Sequence, residues 1–323
     1  MSTSPSSLKI RRGWIIRAVG SLILLSILFW LLPFDQIRQA FESISLRVFL
    51  LVLALFLLAH VAAALKWWLL LDREFPPLMA IRAHFAGLAA NLCLPGAIGG
   101  DAVRAGLAQT VVKDGAHVVA VAAVDRLIDM LALLTVSGIG LVLSRHAGAD
   151  GGMILQVGLF LAVAVAGVIA LPRLLPIPWR IAPSLPGRSF AERLSVAFAE
   201  FRRKPALLSL AFVASTAIQC LLAGLAWWLA VSAGTGVEIG HWLFAWPLAK
   251  IVAVLPVSLN GLGLREATLA VFLTPFGADP SVIVAAGLMW QAVLFVAGGI
   301  GALVFSLPGL KLAPRPTGKE DYK

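Results

Sequence analysis

The chain has 323 residues, of which 60% are hydrophobic and only 13% are charged, and its mean hydropathy is +0.95. So little charge excludes an ordinary soluble globular domain and indicates an integral membrane protein. Lys and Arg outnumber Asp and Glu by 26 to 16, which gives a net charge of +10. In a membrane protein such an excess reports orientation, and no basic face accompanies it that would indicate nucleic-acid binding.

Six apolar segments are long enough to cross a bilayer, since a spanning helix needs about 20 residues. They cover residues 14–32, 48–71, 118–143, 153–171, 206–231 and 281–307. Two further apolar stretches, 78–112 and 241–276, are each interrupted in the middle by Pro and Gly. Because neither stretch can form one continuous helix, we predict that each is a re-entrant pair of half-helices.

The basic residues predict the orientation of these segments. They concentrate in the N-terminal segment, in the loop 173–204 and in the tail after Leu307, which we therefore place in the cytoplasm. The loops 33–47 and 144–152 carry few basic residues and should face outward. Every loop falls on its expected side of the membrane when each interrupted stretch enters and leaves the membrane on the same side. The predicted fold is thus an all-α polytopic membrane protein, with six transmembrane helices and two re-entrant pairs, in the inner membrane of a prokaryote.

We predict a single integral membrane domain over residues 1–315, with both termini in the cytoplasm. Its halves cover about 48–143 and 206–307, and the cytoplasmic loop 172–205 joins them. Within this loop, residues 191–204 have a pattern typical of an interfacial amphipathic helix, although a solvated connector explains it equally well. Residues 316–323 are predicted to be a disordered tail that resembles the start of an acidic epitope tag.

An internal repeat is the strongest pattern in the sequence. LPGAIGGDAVR at residues 94–104 aligns with LPVSLNGLGLR at residues 255–265. Each copy begins with Leu-Pro, has a Gly five residues after the Pro and ends on an Arg, and the offset is 161 residues throughout. Three predicted spans lie between the copies, so the second copy enters from the opposite side of the membrane. This pattern predicts an inverted-topology repeat.

Each break has the properties of an anion site. A Pro ends the first half-helix, and the second half-helix then begins with free N–H groups and a positive dipole end at membrane depth. Arg104 or Arg265, one turn further on, adds a full charge and donors suited to phosphate or carboxylate. Alternatively, the two Arg side chains extend to the nearer interface and the glycines serve packing.

Further charges lie within apolar sequence. Asp125, Arg126 and Asp129 occur in a predicted span, where charge is costly unless it is paired or lines a polar cavity. The two carboxylates, four residues apart, should share one helix face. In a functional interpretation, Arg126 binds a lipid phosphate, or one of the carboxylates carries a proton. The alternative is that Asp125, Arg126 and Asp129 are all paired near the cytoplasmic interface.

Three other features flank these segments. Lys250 and Glu266 lie on either side of the second break, and Glu266 is predicted to pair with Lys250 or with Arg265. Lys66, followed by Trp67, is interpreted as an ordinary interface anchor. The five histidines lack metal-ligand spacing, and we predict neither a metal site nor a cofactor.

These residues resemble the lysylphosphatidylglycerol synthase transmembrane-region family, whose members are also called flippase-like. The resemblance rests on residues 91–104, on Asp125-Arg126 with Asp129, and on residues 255–266. It implies a membrane domain that moves a lipid, or a lipid-linked intermediate, between leaflets. In the multiple peptide resistance factor this domain is fused to a soluble aminoacyl-transferase. Since none follows Leu307 here, we expect that this chain does not make lysylphosphatidylglycerol by itself.

The leading hypothesis is a lipid flippase or scramblase, a transporter rather than an enzyme, that moves an anionic phospholipid, such as phosphatidylglycerol or aminoacyl-phosphatidylglycerol, or a polyprenyl-phosphate-linked lipid between leaflets. Membrane lipids are its expected substrate, and we expect no nucleotide or nucleic acid as partner. Alternatives are a membrane-embedded transferase acting on a polyprenyl phosphate and a non-catalytic accessory subunit of lipid or glycan synthesis. A separate lipid-modifying or glycosyl-transfer enzyme is a possible partner. The predicted head-group site comprises Asn91, Pro95, Gly99, Gly100, Asp101, Arg104, Arg126, Pro256, Gly261, Gly263 and Arg265. Asp125, Asp129 and Glu266 are predicted coupling or pairing carboxylates, and Lys250 is their candidate charge partner.

Overall fold

The computed structural model describes residues 42–93, 98–112, 114–144, 177–181, 203–254 and 263–307, together with Gly261 and scattered positions between 35 and 39 and between 155 and 201. Every regular element in this part of the chain is a helix, which confirms the all-α class. The helices are α1 (Leu46–Leu70), α2 (Pro77–Cys93), α3 (Ile98–Ala108), α4 (Gly115–Ser144), α5 (Ile177–Ile181), α6 (Pro205–Ser232), α7 (Ile239–Val252), α8 (Leu264–Leu273) and α9 (Pro280–Ser306). A 3₁₀ turn, Thr274–Phe276, follows α8.

Four helices, α1, α4, α6 and α9, are long and apolar enough to cross a membrane. They confirm as helices the predicted segments 48–71, 118–143, 206–231 and 281–307. The predicted spans 14–32 and 153–171 lie outside the continuously described residues, as do most of 191–204 and the tail 316–323. The count of six spans and the extent of the single domain therefore stay predictions.

Local sequence signals determine where several of these helices begin. Ser45 caps α1, since its hydroxyl accepts a hydrogen bond from Val48 N at 3.3 Å. Asp279 caps α9 by accepting from Ser281 N at 2.7 Å, and a proline occupies the first helical position of both α6 and α9. At α8 the cap is Gly263, whose φ of +80° lies in the left-handed region that glycine adopts without strain.

Each interrupted stretch forms two helices, as the sequence predicts. Helices α2 and α3 cover most of residues 78–112, with α2 beginning at Pro77, and α7 and α8 cover most of residues 241–276, with α7 beginning at Ile239. The residues at the two breaks, 94–97 and 255–260, lie outside the described part.

Contacts at the helix termini show that the first pair begins and finishes at one end of the bundle. Lys204 Nζ, just before α6, lies 2.7 Å from Asp72 Oδ1, just after α1. His117, in the first turn of α4, has its ring nitrogen 3.8 Å from the same carboxylate. We call this the Asp72 end. Because α2 follows Asp72 closely and α3 leads by a short loop into α4, both ends of the α2–α3 pair lie at the Asp72 end. The re-entrant placement of this pair in a membrane stays a prediction.

The second pair begins and finishes at the opposite end. Ser43, before α1, donates a hydrogen bond at 2.9 Å to the carbonyl of Ser232, the last residue of α6. We call this the Ser232 end. His241 at the start of α7 and Phe276 after α8 stack with ring centroids 4.0 Å apart. Helices α1 and α6, which occupy equivalent positions in the two halves, are therefore antiparallel, which is the relation that an inverted repeat predicts.

The halves exchange their packing partners. The first pair packs through α2 against α9, and the second pair packs through α7 against α4. A glycine permits each close approach: a Cβ at Gly140 would lie 2.2 Å from Phe244 N, and one at Gly301 would lie 2.4 Å from Phe85 O. Small residues allow helix backbones to approach in this way inside membranes. Gly140 and Gly301 are themselves 161 residues apart, so the repeat extends to these helices.

Candidate functional site

A cavity of about 270 Å³ lies where the two halves meet. Side chains from α1 to α4 and from α6 to α9 line it, so both halves contribute to its wall. Apolar residues such as Met130, Leu133 and Leu222 form much of this wall, and polar residues of the helices that flank both breaks converge inside it. Its volume lies just below the range of roughly 300–1,000 Å³ that is typical of small-molecule sites.

Arg104 of α3 is held by carboxylates from two helices. Its Nη2 lies 2.8 Å from Asp125 Oδ2 on α4 and 3.3 Å from Asp101 Oδ1 on its own helix. The guanidinium also lies over the ring of Trp67, with 4.6 Å between Cζ and the ring centroid. Only 5% of Arg104 is exposed. The residue that the first motif places at the site is therefore buried with its charge neutralised within the protein.

Lys66 is a central member of the charge cluster that Arg104 forms with Asp101 and Asp125. Its Nζ lies 2.9 Å from Asp125 Oδ1, contacts Asp129, and donates to Ser215 Oγ at 2.5 Å. Ser215 in turn donates to Asp129 Oδ1 at 2.6 Å. Both carboxylates of α4 thus face the same cation, as their four-residue spacing predicts. Arg126 between them turns to Asp101 instead.

The interpretation of Lys66 and Trp67 as interface anchors is wrong. Only 5% of Lys66 is exposed and Trp67 is fully buried. Their position near the end of an apolar helix is typical of anchors, but carboxylates on α4 hold the ammonium inside the bundle and the indole ring packs beneath Arg104. The pairing of distant helices thus decides the environment of these two residues.

Arg265, in the second motif, pairs within its own helix. Its Nη2 contacts Glu266 Oε1, and its guanidinium lies over Trp246 with 5.6 Å between Cζ and the ring centroid. Glu266 is fully buried, and its other oxygen accepts a hydrogen bond from Gly263 N at 2.8 Å, which completes the cap of α8. Of the two predicted partners for Glu266, the structure therefore places Arg265, not Lys250, against it.

Lys250 differs from the other cavity cations. Its Nζ donates to Gln219 Oε1 of α6 at 2.8 Å, and it forms no ion pair with a carboxylate of the described residues. Lys250 lines the cavity one helical turn after Trp246, so both side chains face the same side of α7. It is therefore a cation whose contact in the described structure is a neutral amide.

The cavity also contains groups that no sequence pattern indicated. His60 Nδ1 lies 3.0 Å from His84 Nε2, and His84 Nδ1 lies 3.4 Å from Arg104 Nη1. Trp290 meets both Trp246 and Phe56 edge to face, with centroid distances of 5.1 and 5.5 Å. Isolated histidines and tryptophans in apolar helices carry no periodic signal, so helix packing alone brings them together. Among the described residues, no group of three or more His, Cys, Asp or Glu is arranged to hold a metal ion.

The predicted site residues divide into those that line the cavity and those that do not. The lining contains Asn91, Gly100, Asp101, Arg104, Asp125, Arg126, Asp129, Lys250 and Arg265. Asn91 accepts a hydrogen bond from Gly100 N at 2.8 Å, which ties α2 to the start of α3. Gly99, Gly261, Gly263 and Glu266 do not line it, and Pro95 and Pro256 lie outside the described residues.

Apolar helices of membrane-spanning length around a cavity that is lined by buried charged side chains define a polytopic α-helical membrane protein. The family model described as the lysylphosphatidylglycerol synthase TM region matches residues 14–301, and the chain belongs to this family. The suspected resemblance is thereby confirmed, and membership is consistent with a membrane protein related to lipids. A comparison with curated proteins gives no match.

Proposed function

We propose that this protein is a flippase- or scramblase-type transporter that moves a lipid with an anionic head group between the leaflets of a prokaryotic inner membrane. Its substrate carries a lipid phosphate: it is a phospholipid, such as phosphatidylglycerol or aminoacyl-phosphatidylglycerol, or a polyprenyl-phosphate-linked lipid. The observation that supports this most directly is one shared cavity, into which the first half contributes Arg104 and Arg126 and the second half contributes Arg265. Both termini and the Asp72 end would face the cytoplasm.

The cavity removes the main obstacle to leaflet exchange, which is the cost of bringing a charged head group into hydrocarbon. Buried cations and hydrogen-bond donors would replace water around the head group while it crosses. A volume of about 270 Å³ suits a head group and not two acyl chains. We therefore propose that the acyl chains stay in the bilayer and slide along the outer helix faces.

The driving force would be the lipid gradient itself or a coupled ion or proton. Candidate proton carriers are Asp101, Asp125, Asp129 and Glu266. Each of these carboxylates contacts at least one cation, so any proton uptake must break or weaken an ion pair. A separate lipid-modifying or glycosyl-transfer enzyme would supply or consume the transported lipid.

Reconstitution tests the proposal directly. Purified protein is incorporated into vesicles that contain a fluorescent anionic lipid, and dithionite then bleaches the outer leaflet. We expect bleaching beyond the outer-leaflet fraction that protein-free vesicles show. Arg104→Gln and Arg265→Gln should each slow the exchange by about tenfold or more, equivalent to about 1.4 kcal/mol in the barrier.

Arg38→Gln is the matched control, because Arg38 is exposed and pairs on the surface with Glu42 at 2.8 Å. Absence of exchange for every anionic lipid would refute the transport proposal, and equal slowing by Arg38→Gln would refute the site. A membrane-embedded transferase would instead form product in detergent, where no leaflets exist.

A further inference from the structure

The cations of the cavity outnumber its carboxylates. Five cations of the described residues line it: Lys66, Arg104, Arg126, Lys250 and Arg265. Three carboxylates line it and Glu266 lies against Arg265, which makes four negative charges. The break residues 94–97 and 255–260 carry no charged side chain. The cluster therefore has one positive charge in excess.

The ion pairs assign this excess to one residue. Asp125 bridges Lys66 and Arg104, Asp101 bridges Arg104 and Arg126, Asp129 contacts Lys66, and Glu266 contacts Arg265. Lys250 contacts Gln219 and forms no ion pair with a described carboxylate. A cation inside a bundle that no carboxylate contacts is costly, and an anion bound beside it lowers that cost.

The surroundings of Lys250 suit a phosphate next to a neutral polar group. Gln219 accepts from Lys250 through Oε1, so its amide nitrogen keeps two donors for a ligand. One turn before Lys250, Trp246 meets Trp290 edge to face at 5.1 Å and forms an aromatic wall. Sites for neutral polar ligands combine such aromatic walls with a few placed donors.

We propose that Lys250 and Gln219 bind the phosphate of the transported lipid, and that the cavity selects a head group with one negative charge and no positive charge. An ammonium on an aminoacylated head group would need a carboxylate, and every described carboxylate of the cavity already contacts a cation. The substrate class is thus a phosphodiester or phosphate lipid with an uncharged polyol or sugar. This inference rests on the proposed function only in assuming that lipid enters this cavity.

The test measures binding in detergent, separately from transport. The full-length protein is mixed with dihexanoyl-phosphatidylglycerol, dihexanoyl-phosphatidylcholine or a short-chain lysylphosphatidylglycerol, and the shift in the midpoint of thermal unfolding is recorded. We expect stabilisation by the phosphatidylglycerol, and at least tenfold weaker binding of the other two lipids. Lys250→Met should weaken phosphatidylglycerol binding at least tenfold, and Lys250→Arg should retain part of it.

Lys204→Met is the control, since Lys204 pairs with Asp72 outside the cavity and should leave binding unchanged. Lys250→Gln replaces Lys250→Met if the latter does not fold. The inference is overturned if all three lipids bind equally or if lysylphosphatidylglycerol binds more tightly than phosphatidylglycerol. It is also overturned if Lys250→Met and Lys250→Gln both leave phosphatidylglycerol binding unchanged. Binding through Lys250 without leaflet exchange in vesicles would refute the transport function alone, whereas exchange unaffected by Lys250→Met would refute the phosphate site alone.

Discussion

Asp125 connects two buried cations of the cavity. It is 2% exposed and contacts Lys66 through one oxygen and Arg104 through the other, at 2.9 and 2.8 Å. Removing one partner of a buried ion pair costs far more than the pair contributes, because the remaining charge is left without compensation. The stability of the bundle should therefore depend strongly on single members of this cluster.

Substitution of Lys66 tests this dependence. Lys66→Met keeps the volume of the side chain but leaves Asp129 without the cation that holds it, so we expect a loss of about 3 to 5 kcal/mol in unfolding free energy. Lys204→Met removes a cation of the same type from a half-exposed pair with Asp72 and should cost about 1 kcal/mol or less. Thermal unfolding in detergent, followed by tryptophan fluorescence, compares the two. Equal shifts in the unfolding midpoint would contradict the structural importance of the cluster.

At the residue scale, the sequence predicts the partner of a charged side chain when the two residues are near each other in the chain. The spacing of Asp125 and Asp129 predicts their common face, and the adjacency of Arg265 and Glu266 makes their pairing a natural candidate. The prediction for Lys66 is wrong because its partner Asp129 is 63 positions away in the chain. No local pattern distinguishes a lysine that reaches the interface from one that is paired inside the bundle.

Local hydropathy and capping residues predict the bounds of the long helices closely. The predicted segment 48–71 corresponds to Leu46–Leu70, and 281–307 corresponds to Pro280–Ser306. Ser45 and Asp279 mark the starts of these two helices. What hydropathy does not predict is which helices touch, because lipid-facing and protein-facing apolar residues look alike in a membrane protein.

Four glycines at matched positions test the close packing between the halves. Gly140→Ala and Gly301→Ala each place a Cβ within 2.5 Å of a neighbouring backbone atom, so we expect losses of about 1 to 3 kcal/mol or more. Gly138→Ala and Gly299→Ala, also 161 residues apart, meet no atom within 4 Å. They should be neutral or stabilising by up to about 1 kcal/mol, because alanine favours helix. The midpoints of thermal unfolding of the four variants test these expectations. Equal shifts in all four would contradict the close helix contacts at Gly140 and Gly301.

For the molecule as a whole, the repeated motifs predict two equivalent halves of opposite direction. The contacts of Asp72 with Lys204, and of Ser43 with Ser232, make α1 and α6 antiparallel. The exchange of partners between the halves, with α2 on α9 and α7 on α4, was not predictable. It depends on steric fit at Gly140 and Gly301, which carry no motif of their own.

Cysteine labelling tests the orientation of the whole bundle. In a background with Cys93→Ser and Cys220→Ser, Glu42→Cys lies before α1 at the Ser232 end, and Arg203→Cys lies before α6 at the Asp72 end. A membrane-impermeant maleimide should label position 42 in intact spheroplasts and position 203 only after permeabilisation, because the basic loop faces the cytoplasm. Labelling of both positions from one side would contradict the predicted topology.

The two hydrogen bonds that link Arg104, His84 and His60 have a fixed donor-to-acceptor direction. A guanidinium has donors and no acceptor, so His84 Nδ1, which faces Arg104 Nη1, must be the acceptor. A neutral His84 then carries its hydrogen on Nε2 and donates it to His60 Nδ1, which leaves the hydrogen of a neutral His60 on Nε2 as well. One tautomer is thus specified for both rings. A proton added at either Nδ1 would set two donors against each other, so this arrangement favours the neutral form of both rings.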